Sequence, residues 1–217
     1  MREAYRGKLA VENRNPLLTH FRVGDEIVLK DYNAEVKEQA KEKDRSLRNM
    51  AMKEVQTQMI VSHLAKQFKQ NTNGILDETP DVIPCFILER KDANPDDPIL
   101  MMEVALTGTF EKYLVNDGSA TKQGLETEHG KICLAFAHWT FEYTEEALVV
   151  TDLQGVKLRL TDVEVSTKEK GYFGIGNLGS DAIATFKDKH VCNDVCKSLG
   201  LKNAQGEAVV AKSKFKM

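Results

Sequence analysis

Apolar and polar residues alternate from Glu26 to Tyr32, after the turn pair Gly24-Asp25, and this period of two predicts a strand. The next stretch, Ala34 to Arg48, is dominated by charge and fits either a long exposed helix or a loop. From Leu47 the period changes. Ala51, Val55, Met59, Leu64, Ala65 and Phe68 recur close to helical spacing, and Asn71 to Gly74 closes the run. Two more strands are expected at Ile83 to Glu89 and Ile99 to Ala105, joined by a Pro-, Asn- and Asp-rich turn from Lys91 to Pro98. The first half therefore reads as a mixed sheet with one main helix.

Beyond Gly108 the helical period returns from Lys131 to Trp139, and Ala147 to Val150 is a short apolar strand running into Asp152. Ser180-Asp181 has the chemistry of an N-cap and first-turn pair for a helix containing Ile183 and Phe186. At 217 residues the chain is long enough for one large domain or two closely packed lobes. Hydrophobic residues at 41% and charged residues at 29% fit a globular protein, and no run approaches the roughly 20 apolar residues needed to span a bilayer. Met1 to Leu9 is polar where a secretory signal needs an apolar core, so we expect a cytoplasmic protein without membrane insertion. A net charge of −3 removes the attraction that drives nucleic-acid binding, so no nucleic acid is expected as a partner, and the basic cluster Lys212 to Lys216 reads as a solvated tail. The four cysteines are too scattered for a disulfide framework.

Two of those cysteines carry a chemical signal. In His190-Val-Cys192-Asn-Asp-Val-Cys196 the cysteines stand at i and i+4, on one face if the segment is helical, where two thiolates can converge on one ion. His190 can reach the same point. His138, in the apolar stretch Ala135-Phe-Ala-His-Trp139, is the best fourth donor for a tetrahedral zinc, because an unpaired imidazole there would be costly. Four protein ligands leave no position for water, so such a zinc would be structural. The competing reading has Cys192 and Cys196 as buried helix residues and His138 as a satisfied core histidine.

A second signal lies in Val149-Val-Thr-Asp152-Leu-Gln154-Gly-Val156, where a carboxylate and an amide follow a strand, with Asp162 ten positions after Asp152. One acid to accept a hydroxyl proton, with an amide and a second acid to hold magnesium, is what phosphoryl transfer requires. Lys30, at the end of an apolar strand, could neutralise nucleotide phosphates. Taken singly, each of these is an ordinary surface residue type. Phe173-Gly-Ile-Gly176-Asn-Leu-Gly179 is Gly-rich and precedes a helix. It fits a phosphate cradle or a loop that approaches a peptide chain closely.

Together these segments resemble the alpha-kinase family of atypical Ser/Thr protein kinases. The matching stretches are Met1 to Arg6, Ile27 to Lys30, Met102-Glu103, Gly108 to Tyr113 with Asn116, Ala135 to Phe141, Thr151 to Val156, Leu160 to Asp162, Phe173 to Gly179 and His190 to Cys196. The resemblance implies an α+β, two-lobed protein-kinase-like fold over 1–201, with an N-lobe at about 1–105, a C-lobe with structural zinc at about 106–201, and a polar, basic tail at 202–217. It implies ATP and Mg2+ as cofactors, and a protein substrate with a Ser or Thr acceptor. Asp152 would be the catalytic aspartate, Gln154 and Asp162 the magnesium ligands, and Lys30 the phosphate-contacting lysine. Glu103 and Leu106 would lie at the adenine-binding hinge, with Lys112 and Arg2 also facing the nucleotide. Gly174, Gly176, Asn177 and Gly179 would form a substrate-facing loop, and His138, His190, Cys192 and Cys196 would be the zinc ligands. Glu54 stands where the family usually has Asp, and Leu114 where it usually has Asn. The alternatives are a catalytically silent pseudokinase or docking module that keeps the zinc-stabilised fold and, less in keeping with the charge, a zinc-stabilised nucleic-acid module.

Overall fold

The structure, a computed structural model, describes residues 2–10, 21–90, 99–170 and 172–202. The turn expected from Lys91 to Pro98, the Lys212 to Lys216 cluster and Met1 lie outside them. The chain divides into two compact units, 1–56 with 83–107, and 57–82 with 108–217.

The first unit opens with β1 (Arg2–Lys8), β2 (Glu26–Tyr32) and α1 (Ala34–Glu42). Asn33 caps α1, its side chain accepting the Val36 N–H at 3.0 Å. The charged stretch is thus neither one long helix nor a loop throughout. It breaks around Asp44, whose φ of 49° is left-handed, and α2 (Leu47–Asn71) starts afresh. The division between units falls inside α2, after Gln56. The strand expected at Ile83 to Glu89 starts later, as β4 (Cys85–Glu89) in the first unit, and a separate short β3 (Asp81–Val82) precedes it in the second. Pro84 stands between them and has no N–H to give to a ladder. With β5 (Ile99–Val104) the first sheet runs β1-β2-β5-β4. All its pairings are antiparallel, which corrects the expectation of a mixed sheet. The helix-linked crossover does leave β4 running in the same direction as β2, but β5 lies between them and pairs antiparallel with both, so no parallel pair forms. Tyr32, Ala51, Ile99 and Met101 are buried together where α2 covers this sheet.

The second unit continues with β6 (Phe110–Lys112), α3 (Lys122–Glu126), α4 (Glu128–Tyr143), β7 (Leu148–Thr151), β8 (Gln154–Val156), β9 (Arg159–Leu160), β10 (Glu164–Thr167), α5 (Ser180–Lys189) and α6 (Asp194–Ser198). β7 pairs with β10, and β3-β9-β8-β6 forms a four-stranded sheet in which β3 and β9 run parallel. Thr127 caps α4 through the Gly130 N–H at 3.0 Å. Nine consecutive residues of α4, from Cys133 to Phe141, are buried, so this helix is the unit's axis rather than an amphipathic surface helix. Phe136 packs on Phe68 of α2 with ring centres 5.2 Å apart. At α5 the cap is Gly179, whose φ of 75° sets the turn, and not Ser180, which is already the first helical residue.

Candidate functional site

β7 delivers Asp152, and the β8–β9 hairpin brings the chain back to Asp162. The ends of this excursion are held by the Thr151–Glu164 pairing of β7 with β10, and the Thr161 N–H donates to the Gln154 carbonyl at 3.0 Å. Asp152 and Asp162 therefore stand at the mouth of one short hairpin. Both have left-handed backbone, with φ of 52° and 53°, a region that Asp tolerates better than most residues but that still costs energy. Backbone of this kind clusters at functional sites. Gly155 makes the hairpin tight: a Cβ there would collide with the Arg159 carbonyl oxygen.

β6 supplies the cation. Its register sets Lys112 opposite Gln154, and Lys112 Nζ lies 2.5 Å from Asp152 Oδ1. Gln154 Nε2 donates to the other oxygen, Oδ2, at 3.2 Å. The Asp152 carboxylate is thus oriented from both sides. Lys112, Asp152 and Gln154 form one constellation, with Asp162 adjacent along the hairpin.

In the first unit, Lys30 on β2 and Glu103 on β5 form a buried ion pair, Nζ to Oε2 at 2.5 Å. The strands pair in antiparallel register, Val28 with Glu103 and Lys30 with Met101, which puts both side chains on one face. Beside them Arg2 Nη1 meets Glu54 Oε2 at 2.6 Å, and the Tyr32 hydroxyl donates to Glu54 Oε1 at 2.9 Å. Burial, with the neighbouring Glu54 carboxylate second, pushes the Tyr32 phenol well above its usual range, so it stays a donor. Leu106 follows β5 and is half-buried. Arg2, Lys30, Glu103 and Leu106 belong to the first unit, and the Asp152 constellation belongs to the second.

The Gly-rich loop is organised from within. Asn177 is buried. Its Oδ1 accepts from the Thr167 and Gly179 amides at 3.1 and 3.0 Å, and its Nδ2 donates to Thr167 Oγ1 at 2.8 Å and the Glu169 carbonyl at 3.2 Å. Gly176 leaves room for the Glu164 carboxylate, which a Cβ would strike. Asn177 thus shapes the loop, while Tyr172 and Ile175 point outward.

His138, His190, Cys192 and Cys196 offer ligand atoms that all lie within 4.8 Å of one another. Cys192 Sγ is 3.7 Å from His138 Nδ1, and Cys196 Sγ is 3.7 Å from His190 Nε2. Tetrahedral zinc with bonds of about 2.3 Å to sulfur and 2.0 Å to nitrogen sets such pairs about 3.5 Å apart, so the donors fit. The cysteines are not on one helix face as the spacing suggested. Cys196 lies in α6, but Cys192 precedes its cap, Asn193, in extended chain. Asn193 accepts the Cys196 N–H at 3.0 Å and donates to the Lys131 carbonyl of α4 at 2.9 Å, which sets the segment's position. Burial lowers His138 to about 4, and burial with the nearby His138 lowers His190 to about 3, so both rings are neutral and able to ligate. Burial likewise pushes the Cys196 thiol up to about 12, a cost that a bound cation would reverse. The sequence reading missed Glu142, which lies 3.3 Å from the far nitrogen of His138. Its i+4 spacing was the available signal.

A model of the alpha-kinase family matches residues 1–196. Alpha-protein kinase 2 of Mus musculus is 33% identical over 213 residues, covering 95% of this chain and 10% of that protein. Transient receptor potential cation channel subfamily M member 6 of Homo sapiens is 37% identical over 158 residues, 70% of this chain and 8% of that protein. The chain thus spans a tenth or less of the length of these curated relatives. Among solved structures, the alpha-kinase domain of myosin-II heavy chain kinase A in complex with AMP-PNP matches with a TM-score of 0.78 at 27% identity, covering 96% of this chain and 85% of that one. A form of that domain with a phosphorylated aspartate matches with a TM-score of 0.73 at 28% identity, covering 89% and 70%. No helix among the described residues is long and apolar enough to cross a membrane.

Proposed function

The chain belongs to the alpha-kinase family, and from that premise we propose that it is an atypical protein kinase, transferring the γ-phosphate of MgATP to Ser or Thr of a protein. The observation that carries this reading is the Asp152 carboxylate, held by Lys112 on one oxygen and by Gln154 on the other at the mouth of the β8–β9 hairpin. Related domains bind AMP, ADP and AMP-PNP, which supports a nucleotide as the phosphoryl donor.

In the proposed reaction the acceptor hydroxyl oxygen bonds to the γ-phosphorus, the bond to the bridging oxygen breaks and ADP leaves. The hydroxyl proton passes to the Asp152 carboxylate, which Lys112 and Gln154 orient. Gln154 and Asp162 are the oxygen ligands offered to magnesium, which when bound to ATP offsets phosphate charge. Lys30 and Arg2 are assigned to the nucleotide phosphates, and Glu103 to Leu106 to adenine. Since the Glu103 carboxylate is engaged by Lys30, its part in adenine binding falls to the backbone. The Gly174 to Gly179 loop receives the substrate chain. Zinc on His138, His190, Cys192 and Cys196 has a structural role, because four protein donors close its coordination.

The test is transfer from radiolabelled ATP to a panel of Ser, Thr and Tyr peptides. Label is expected on Ser or Thr, and Asp152→Ala is expected to lose a factor of about 10² or more. An Asp152→Ala protein as fast as wild type overturns the assignment. Nucleotide that raises the melting temperature of wild type without any transfer points to a silent kinase fold instead.

A further inference from the structure

His138 and Glu142 are one turn apart on α4, so the carboxylate lies over the imidazole. The two ring nitrogens have different neighbours. Nδ1 lies 3.7 Å from the Cys192 sulfur, inside the group of four donors, while Nε2 lies 3.3 Å from Glu142 Oε1. Both Nε2 and Oε1 are shielded from solvent and face each other at 3.3 Å, with no side-chain hydrogen bond of good geometry to any other described group or yet to one another. The Glu142 side chain as a whole is 28% exposed, so one oxygen is turned inward while the rest of the group reaches the surface. The Lys202 backbone lies against both side chains and accepts from the Cys192 thiol at 3.8 Å.

A neutral imidazole has one donor and one acceptor nitrogen, and only the acceptor can bind a metal. We propose that Glu142 is a positioning residue of the metal centre: its Oε1 accepts the Nε2–H of His138 and thereby fixes the tautomer whose Nδ1 lone pair faces the ion. A carboxylate behind a ligating histidine also raises the basicity of the ligand nitrogen. An incidental surface pair would not need one oxygen buried against Nε2. Without Glu142, the ring loses the carboxylate that selects Nε2 as the protonated nitrogen, and the Lys202 backbone, which also bonds to His138, is left as its neighbour. The inference rests on the metal reading above.

The experiment uses the whole chain loaded with zinc, as wild type, Glu142→Ala and Glu142→Gln. It measures zinc transfer to a chromophoric chelator, and the side-chain nitrogen shifts of His138. Wild type is expected to hold one zinc with His138 bound through Nδ1 and protonated on Nε2. Glu142→Ala is expected to bind zinc about 10- to 100-fold more weakly. Glu142→Gln keeps an acceptor but no charge, so it is expected to lose less and to keep the wild-type tautomer. If Glu142→Ala does not fold, the near-isosteric Gln variant decides through its zinc affinity. Wild type with one zinc and variants that release it at the wild-type rate, or a His138 bound through Nε2, overturns the role of Glu142 and leaves the metal reading standing. Wild type that binds no zinc overturns both.

Discussion

Lys30 and Glu103 meet at 2.5 Å with both side chains almost wholly buried, whereas Lys112 meets Asp152 at the same distance with its own side chain 41% exposed. Two charges taken out of water depend on each other, while a half-solvated pair contributes little to stability. Glu103→Ala is therefore expected to destabilise by about 3 kcal/mol in denaturant unfolding. The Lys30→Met/Glu103→Leu double variant should recover much of this, and double-variant stability equal to the sum of the single losses would contradict the coupling. For Lys112→Ala the expectation reverses. Stability changes by less than about 1 kcal/mol, but phosphate transfer falls up to about 10²-fold because Asp152 loses the orienting contact of Lys112. Equal transfer rates for Lys112→Ala and wild type would exclude that role. Lys30 and Asp152 stand out in the sequence through their places at strand ends, and Lys112 through the family resemblance, yet the partnership of Lys30 with Glu103 does not. It joins residues 73 apart, and only the β2–β5 register brings them together.

At the scale of elements, hydrophobic period located β2, α2, α4 and β7, because in each a face or a whole segment is buried and the pattern records it. What the pattern could not record is where backbone geometry overrides composition. Ser180-Asp181 has cap chemistry, but Gly179 takes the cap because the turn needs positive φ. Cys192 and Cys196 have helical spacing, but Asn193 caps α6 between them. The same limit applies to the Gly-rich loop, whose glycines suggest openness while its shape comes from Asn177. Asn177→Ala removes four hydrogen bonds, each with a net value of about 1 kcal/mol, so a loss of several kcal/mol is the upper bound. We expect faster amide exchange and proteolysis confined to 168–180, and a KM for peptide that rises while the KM for ATP holds. A rise in the KM for ATP of the same size would show that the loop serves the nucleotide.

At the scale of the whole molecule, the candidate metal group joins more of the second unit than any single hydrophobic contact does. His138 belongs to α4, His190 ends α5, Cys196 belongs to α6, and Cys192 lies in the connection between the last two. Phe186 of α5 stacks on His190 with ring centres 4.8 Å apart and also touches Phe141 of α4, so the core and the ligands share a wall. α5 buries Ala182, Ile183 and Phe186, whereas the short α6 has only Cys196 buried and so has the least apolar surface with which to dock by itself. Binding of the proposed metal would add to that burial, and it would release thiol protons because burial holds Cys196 in the protonated form. At free zinc about a thousand times Kd, binding contributes about 4 kcal/mol to stability. A strong chelator at neutral pH is therefore expected to lower the melting temperature and to speed amide exchange first across 186–202 and the C-terminal half of α4. Cys196→Ser should reproduce that pattern without chelator. Cys85→Ser, in the first unit and outside the metal group, should leave zinc content at wild type. A chelated protein that melts and exchanges like the untreated one would show that these helices dock without an ion, and the structural role of zinc would fall.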